Sequence, residues 1–582
     1  MDDQMEGERS CVSAPCDLPR SLAAWFPFLW SSVLFRGGAH RSNEPCRTSA
    51  LLLLLLVPAL LLYPSLSFHL FEPDEGRYAE IAREMFQRGE WVVPYLQSEP
   101  YLDKPPLLYW LIEASYALFG VQIWAARLVP ALAVHGCVLL IYVLGRRSIG
   151  ERAAFWGALA LALAPGWMTM GRLLLMDSLL TLLTTLAFLS AFEAVRGERL
   201  RWEWWLTAAA ACGLGVLTKG PVALVLLLPP LWLQRWLTGS GCRIGRIAML
   251  GFLLVVLAVA LPWYAAMTQR IPTFARDFIW EHNIRRFLAP FAHEHGIWFY
   301  LPVVLGGLLP ATLLLAPFLR FLVSSDPVCA AQRTVELSFL LLASGWCLFF
   351  FTLSQCKLPT YIMPAFPLLC LAFGHFLVNY RISLLTLWAG GAAAFLVLAL
   401  VHHVAMPWYA AYRSPVGQPA DICRLCSDKW TTVVCYPRNC DSAAFYLGRA
   451  DLRSFRSKHI DDLRTLVRLR PRTVILCTHR HSLAGLHQLL PPDVRIVEEV
   501  HFGLEDIQGV PPRLMKMLVQ LMGETALGLC DIAVVEPDWV HPNTLFNRKG
   551  QVGGLLPGLI SSVGRAPDTP APSPSGPAAS AR

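Results

Sequence analysis

The chain has 582 residues, of which 55% are hydrophobic and only 15% charged. Soluble globular proteins carry about 25% charged residues, so the composition excludes an ordinary water-soluble enzyme and indicates a chain that crosses a bilayer repeatedly. The formal net charge of +8 does not indicate nucleic acid, because the arginines recur as small clusters between apolar runs, the pattern that sets membrane orientation.

In chain order, residues 1–48 read as a disordered cytoplasmic segment. The first apolar run begins near Ser49, too late for a cleavable signal peptide. Apolar stretches then fall at 50–68, 121–145, 153–170, 174–193, 204–217, 221–237, 247–267, 297–319, 335–353, 360–379 and 382–405. They predict a mostly α, polytopic transmembrane domain over 49–405, with about 11 to 13 spans. The stretch 107–119 is short and contains Glu113, which favours a surface helix. One set of loops collects Arg146, Arg147, Arg152, Arg196, Arg199, Arg201, Arg235, Arg243, Arg246, Arg320, Arg333 and Arg381, the expected cytoplasmic side. The other side receives outer loops 69–120 and 268–296, the turns near Asp177, Lys219 and Lys357, and everything after residue 406.

Those outer segments carry the chemistry. Glu72 to Met85 reads EPDEGRYAEIAREM. Tyr78, Ile81, Ala82, Met85 and Phe86 recur at helical spacing, opposite Arg77, Glu80, Glu84 and Arg88, which predicts an amphipathic helix lying on a bilayer surface. Asp74 and Glu75 stand at its start, where Asp74 could equally serve as an N-cap. In PYLDKPPLLYW, Pro105 and Pro106 fix Asp103 and Lys104 on a stiff turn, a position that also suits an ordinary surface ion pair. Asp177 opens the fourth span, again in N-cap position. Lys219, in LTKGP, and Lys357 with Tyr361, in SQCKLPTYIMPAFPLL, sit at span ends where a lysine can be a simple snorkelling anchor. Loop 268–296 adds His282, His293, Glu294 and His295, residue types that bind zinc when clustered and are otherwise solvated. All of these residues fall on one side, which sets them apart from scattered caps and anchors.

Residues 406–535 alternate short apolar runs (Thr431 to Cys435, Ala443 to Leu447, Thr473 to Cys477, Val494 to Val497) with charged turns, and predict a small α/β or α+β extracytoplasmic domain. Cys423, Cys426, Cys435 and Cys440 lie close in sequence there. They fit a metal knuckle, disulfides or unpaired thiols, with no standard zinc spacing. The tail 550–582, rich in Pro, Ala, Ser and Gly, reads as disordered.

Taken together these motifs resemble the bacterial aminoarabinose (4-amino-4-deoxy-L-arabinose) transferase family, integral-membrane glycosyltransferases of the GT-C type related to protein O-mannosyltransferases. The resemblance spans roughly residues 50–410. It lies in the ordered set Asp74 to Tyr78, Tyr101 to Pro106, Asp177, Thr218 to Pro221 and Lys357 to Tyr361, with Asp103 standing where the family has glutamate. It implies a polyprenyl-phosphate-linked sugar donor, a lipid or other envelope-glycan acceptor, and a monomeric enzyme in the cell inner membrane with its catalytic face periplasmic. It implies Asp74 and Asp177 as catalytic residues near the acceptor and reactive centre, and Lys104, Lys219 and Tyr361 near the donor phosphate, where Arg77 and Lys357 have the charge to join them. Glu75 and Tyr78 fall at the acceptor cavity. A divalent metal, zinc, is implied near the two outer loops, with Asp103, His282 and His293 as candidate ligands.

Glycosyl transfer needs a carboxylate to take the acceptor's proton and cations that stabilise the leaving phosphate most in the transition state. Asp74 suits the first role and Lys104, Lys219 and Arg77 the second. A transporter would place its polar site near the bilayer midplane on broken helices, and a sensor gives no reason for acids and lysines at four loop mouths. A protein O-mannosyltransferase-like activity is the nearest alternative.

Overall fold

The computed structural model describes residues 47–239, 241–288, 293–380, 382–413, 419–428, 430–479, 482–501, 511–522 and 531–541. The segments expected to be disordered, 1–48 and 550–582, lie outside these apart from the first residues of the first helix.

Each predicted apolar stretch forms helix. The chain runs through α1 (Arg47–Leu62), α2 (Asp74–Arg88), α3 (Leu107–Phe119), α4 (Ile123–Ile149), α5 (Glu151–Ala162), α6 (Pro165–Arg172), α7 (Met176–Val195), α8 (Trp202–Lys219), α9 (Val222–Thr238) and α10 (Arg246–Arg270), and further helices follow at Val335–Leu353, Ala365–Asn379 and Leu384–Leu400. By length and apolarity, α4, α7, α10, Val335–Leu353 and Leu384–Ala411 can each cross a membrane alone. The protein is a multi-pass membrane protein with one continuous apolar core among α1, α4–α10 and the later helices.

Two expected single spans are broken. The stretch 153–170 is α5 and α6, bent by 60°, and the stretch 297–319 is Ile297–Gly307 and Ala311–Val323, bent by 103°. Both breaks carry proline, Pro165 opening α6 and Pro310 preceding the second half. Proline has no N–H to continue the ladder and its ring clashes with the preceding turn. The α8–α9 turn is made by Gly220, whose φ of +86° suits glycine, and a Cβ there would press on Phe278 and Asn283.

The amphipathic helix α2 departs from the expected surface position. Tyr78, Ile81, Ala82 and Met85 do pack on Tyr109, Ile112 and Tyr116 of α3. The polar side is buried as well: Glu80 pairs with Arg83, and Glu84 accepts from the backbone N–H groups of Gln97 and Ser98 in the hairpin β1 (Tyr95–Leu96)–β2 (Glu99–Pro100). A helix from the C-terminal domain, Asp441–Leu447, packs over it. Charged partners cancel the cost of burying its charges, so periodicity alone could not reveal the second contact face.

The C-terminal domain holds a five-stranded sheet in the order β4 (Arg453–Ser454), β3 (Thr432–Tyr436), β5 (Thr473–Cys477), β7 (Asp531–Pro537), β6 (Val494–Val500). The β3–β4 and β3–β5 pairs are parallel, and β7 runs antiparallel to both neighbours. Helices cover both faces, giving two small cores, and β5 is buried throughout, as its unbroken apolar sequence requires. The run Ala443 to Leu447 is helix. Cys423, Cys426, Cys435 and Cys440 are free thiols, and among the described residues no three metal-ligating side chains cluster. The disulfide and knuckle alternatives therefore give way to buried apolar packing, except at exposed Cys423.

Candidate functional site

The site is built first by two buried arginines. Arg172, at the end of α6, donates to the carbonyl oxygens of Leu61, Leu62, Pro64 and Ser65. It thus satisfies the last turn of α1, which otherwise has orphan acceptors. Arg127 of α4 donates to the carbonyls of Leu66, Phe68 and His69 and forks onto both oxygens of Glu75, at 2.9 and 2.7 Å. Glu75 also accepts from the N–H groups of Leu174 and Phe71. Predicted to line the acceptor cavity, Glu75 has its carboxylate fully engaged in this framework. Residues 61–75 are thereby pinned, and Asp74 is delivered at the start of α2. Asp74 does not cap: Pro73 precedes the helix and no side chain accepts at its N-terminus. Its side chain is 44% exposed.

Arg77 lies 3.5 Å from Asp74 and 3.2 Å from Asp441, a buried carboxylate supplied by the C-terminal domain. Burial alone would lower the Arg77 pKa, but Asp441, Tyr101 and Asp74 outweigh it and hold the guanidinium above its usual value. Asp441 also accepts from Gln97. One residue on, the Ser442 N–H donates to Glu72 at 2.6 Å, and Gly76 packs so closely that a Cβ would strike Ser442. Burial first, then the charge of Asp441, raise the Glu72 carboxyl to about 7.

The second cluster joins three other elements. Lys219, closing α8, lies 2.5 Å from Asp177 in the first turn of α7, and its ammonium sits 4.1 Å from the centre of the Tyr361 ring. Asp177 is therefore an ion-pair partner and not a cap, since Leu175 occupies the N-cap position. Tyr78 of α2 is buried, and burial first, then the charges of Asp74, Tyr101 and Asp177, raise its phenol pKa. Lys357 is buried, its ammonium donates to the Ser354 carbonyl, and its backbone N–H donates to the carbonyl of loop residue His293.

His282, on the π-helical segment Asp277–Arg285, meets Asp103 at 3.0 Å. Lys104 follows Asp103, half-buried beside buried Pro105 and Pro106. His293 is exposed, and no third ligand joins Asp103 and His282 among the described residues. A catalytic zinc takes three protein ligands, so this donor pair alone does not fit one. A cavity of about 500 Å³ opens beside Asp74. Apart from Glu72, Asp74 and Glu75 its walls are mostly apolar, with Phe71, Leu173, Leu175, Met406 and Tyr409 among them.

The structure thus pairs Asp74 with Arg77, on the same helix as buried Tyr78, and gathers Asp177, Lys219 and Tyr361. Sequence reasoning missed Arg127, Arg172, Glu72 and Asp441. The signal for Arg127 was present: an arginine in an apolar stretch on the side opposite the cytoplasmic clusters is a functional flag. Asp441 carried none, because its role depends on docking of a separate domain.

The family model "Dolichyl-phosphate-mannose-protein mannosyltransferase" matches residues 48–276. The undecaprenyl phosphate-α-4-amino-4-deoxy-L-arabinose arabinosyl transferase 2 of Pseudomonas fluorescens Pf-5 is 34% identical over 424 residues, covering 66% of this chain and 70% of the relative. The corresponding transferase of Pseudomonas aeruginosa LESB58 is 35% identical over 385 residues, covering 64% and 67%. The crystal structure of ArnT from Cupriavidus metallidurans bound to undecaprenyl phosphate superposes with a TM-score of 0.66 at 20% identity, over 84% of this chain and 98% of that one. The fold is shared with that structure, and the sequence likeness extends over two thirds or more of both Pseudomonas enzymes: the chain belongs to the family of undecaprenyl phosphate-4-amino-4-deoxy-L-arabinose arabinosyl transferases.

Proposed function

We propose that the protein transfers 4-amino-4-deoxy-L-arabinose from undecaprenyl phosphate to lipid A, as a monomer, at the periplasmic face of the bacterial inner membrane. The observation that carries this reading is the Asp177–Lys219–Tyr361 cluster, together with the Asp74–Arg77 pair on α2. An ammonium has three donors. Asp177 takes one from Lys219, and the others are available to the donor's phosphate, while the Tyr361 ring holds the cation by its face.

The acceptor oxygen attacks the anomeric carbon, and its proton passes to Asp74. The C1–O bond to phosphate breaks and its electron pair leaves on undecaprenyl phosphate. Lys219 and Arg77, both partly buried, face this growing charge, and fixed cations there act on the transition state. The developing positive charge on the sugar is favoured by nearby Asp74 and Asp177. A single displacement inverts the anomeric centre. The apolar cavity beside Asp74 suits an isoprenoid or acyl chain.

The test is transfer by the purified, reconstituted protein from undecaprenyl-phosphate aminoarabinose to lipid A. Asp74→Asn is expected to lower turnover by about 10²–10⁴ with an unchanged melting temperature. Wild-type protein that is folded yet transfers to no lipid acceptor would overturn the reading, as would a product of retained anomeric configuration. Transfer to protein instead of lipid would favour the mannosyltransferase-like alternative.

A further inference from the structure

A second cavity, of about 850 Å³, lies at the other end of the bundle. It is bounded by the last turns of α7 and α9 and the first turn of helix Val335–Leu353. Asp177 and Lys219 stand at the opposite ends of α7 and of the α8–α9 turn, and a helix of 20 residues such as α7 spans about 30 Å. This cavity is therefore remote from the transfer site and belongs to the other membrane boundary.

Its lining is charged in one sense. Arg196, Arg201, Arg235 and Arg243 line it against one carboxylate, Glu336, among the described residues. The buried Glu193 behind it already takes Arg196 at 3.1 Å, Arg201 at 2.6 Å and Arg147 at 3.7 Å, so it is overmatched. Arg235 donates to the Gly241 carbonyl, anchoring the C-terminal end of α9. Arg243 makes no ion pair with a described residue and faces the same space. Apart from Gln234, which donates to the Val335 carbonyl, the remaining wall is mostly apolar and aromatic. Phe192 and Phe339 stack at 4.5 Å, and Trp232 and Trp236 stand at the mouth, 62% and 79% exposed. Tryptophan at a helix end marks the level of lipid headgroups.

A cationic hollow with apolar walls, opening between helix ends at headgroup level, matches a molecule that is anionic at one end and hydrocarbon at the other. We propose that this cavity binds an anionic glycerophospholipid, its phosphodiester between Arg201, Arg235 and Arg243 and its acyl chains over Trp232 and Trp236. A free anion would use the arginines but not the aromatic rim. A zwitterionic lipid would bring an ammonium against the uncompensated positive charge.

The test is native mass spectrometry of the delipidated full chain titrated with phosphatidylglycerol, phosphatidylcholine or inorganic phosphate. Phosphatidylglycerol is expected to bind, more weakly at higher salt. Arg235→Gln/Arg243→Gln should bind it about tenfold more weakly, while Arg320→Gln, outside the cavity, should match wild type. Should the double variant melt early, Arg243→Gln alone should still lose about threefold. Equal binding of phosphatidylcholine, displacement of the lipid by equimolar phosphate, or a folded double variant within twofold of wild type would each overturn the proposal.

Discussion

The Lys219–Asp177 pair carries opposite charges at 15% and 9% exposure. Removing one partner of a mostly buried pair strands the other and costs about 3–5 kcal/mol. Lys219→Met is therefore expected to lower both turnover and melting temperature. Lys219→Met/Asp177→Leu should recover much of the stability and none of the turnover, which thermal unfolding and a transfer assay separate. Recovery of activity in the double variant would remove Lys219 from the donor site. Glu72 gives a pH dependence at the same scale. Its folded pKa is about 7 against 4.5 unfolded, so between those values the folded state holds the extra proton. Its contribution to stability is thus favourable below about 4.5, falls as pH rises towards 7, and is flat above. Because burial and the neighbouring charge of Asp441 disfavour the ionised carboxyl, the loss falls on the contact between the first outer loop and the C-terminal domain. Glu72→Gln should flatten melting temperature against pH over that window, and an unchanged slope would assign the dependence to another group.

At the scale of elements, the helices were legible because a bilayer demands long apolar runs, and the sorting of arginines placed Asp74, Asp177, Lys219 and Lys357 on one side. The bends were less legible, since Pro58, Pro130 and Pro262 lie inside helices that run on, whereas Pro165 and Pro310 mark breaks. Proline changes which hydrogen bonds exist, and tertiary packing decides whether the helix survives. The framework of residues 61–75 was not legible, because it consists of backbone carbonyls converging on two arginines from distant helices. Arg127→Leu is expected to destabilise by about 3–5 kcal/mol, stranding Glu75 in a buried position. Arg127→Leu/Glu75→Leu should restore part of that but leave turnover low, since the Leu66, Phe68 and His69 carbonyls still lose their donor. A double variant with full turnover would show that the loop holds its shape without them.

At the scale of the whole molecule, the C-terminal domain supplies part of the cluster around Asp74 and Arg77. Its sheet was foreseen from alternating apolar runs, but its position was not, since no local pattern in α2 distinguishes a helix facing lipid from one facing a second domain. Contacts from Tyr446 to the Leu70 N–H, Ser442 to Glu72 and Asp441 to Arg77 fasten it to the loop that carries Asp74. Arg77 thus stands between two carboxylates of different origin. If Asp441 acts only as glue, neutralising it lowers stability and leaves turnover per folded molecule intact. If it also aims Arg77, turnover falls too, because shifts of about 1 Å in a reacting group can cost about a hundredfold. The second outcome is expected: Asp441→Asn, nearly the same in shape, should reduce kcat by about tenfold or more with little change in KM for the donor, and Asp441→Glu should regain part of it. Measured on protein shown to be folded by its melting curve, an Asp441→Asn variant with wild-type kcat would reduce the domain to a cover over the site.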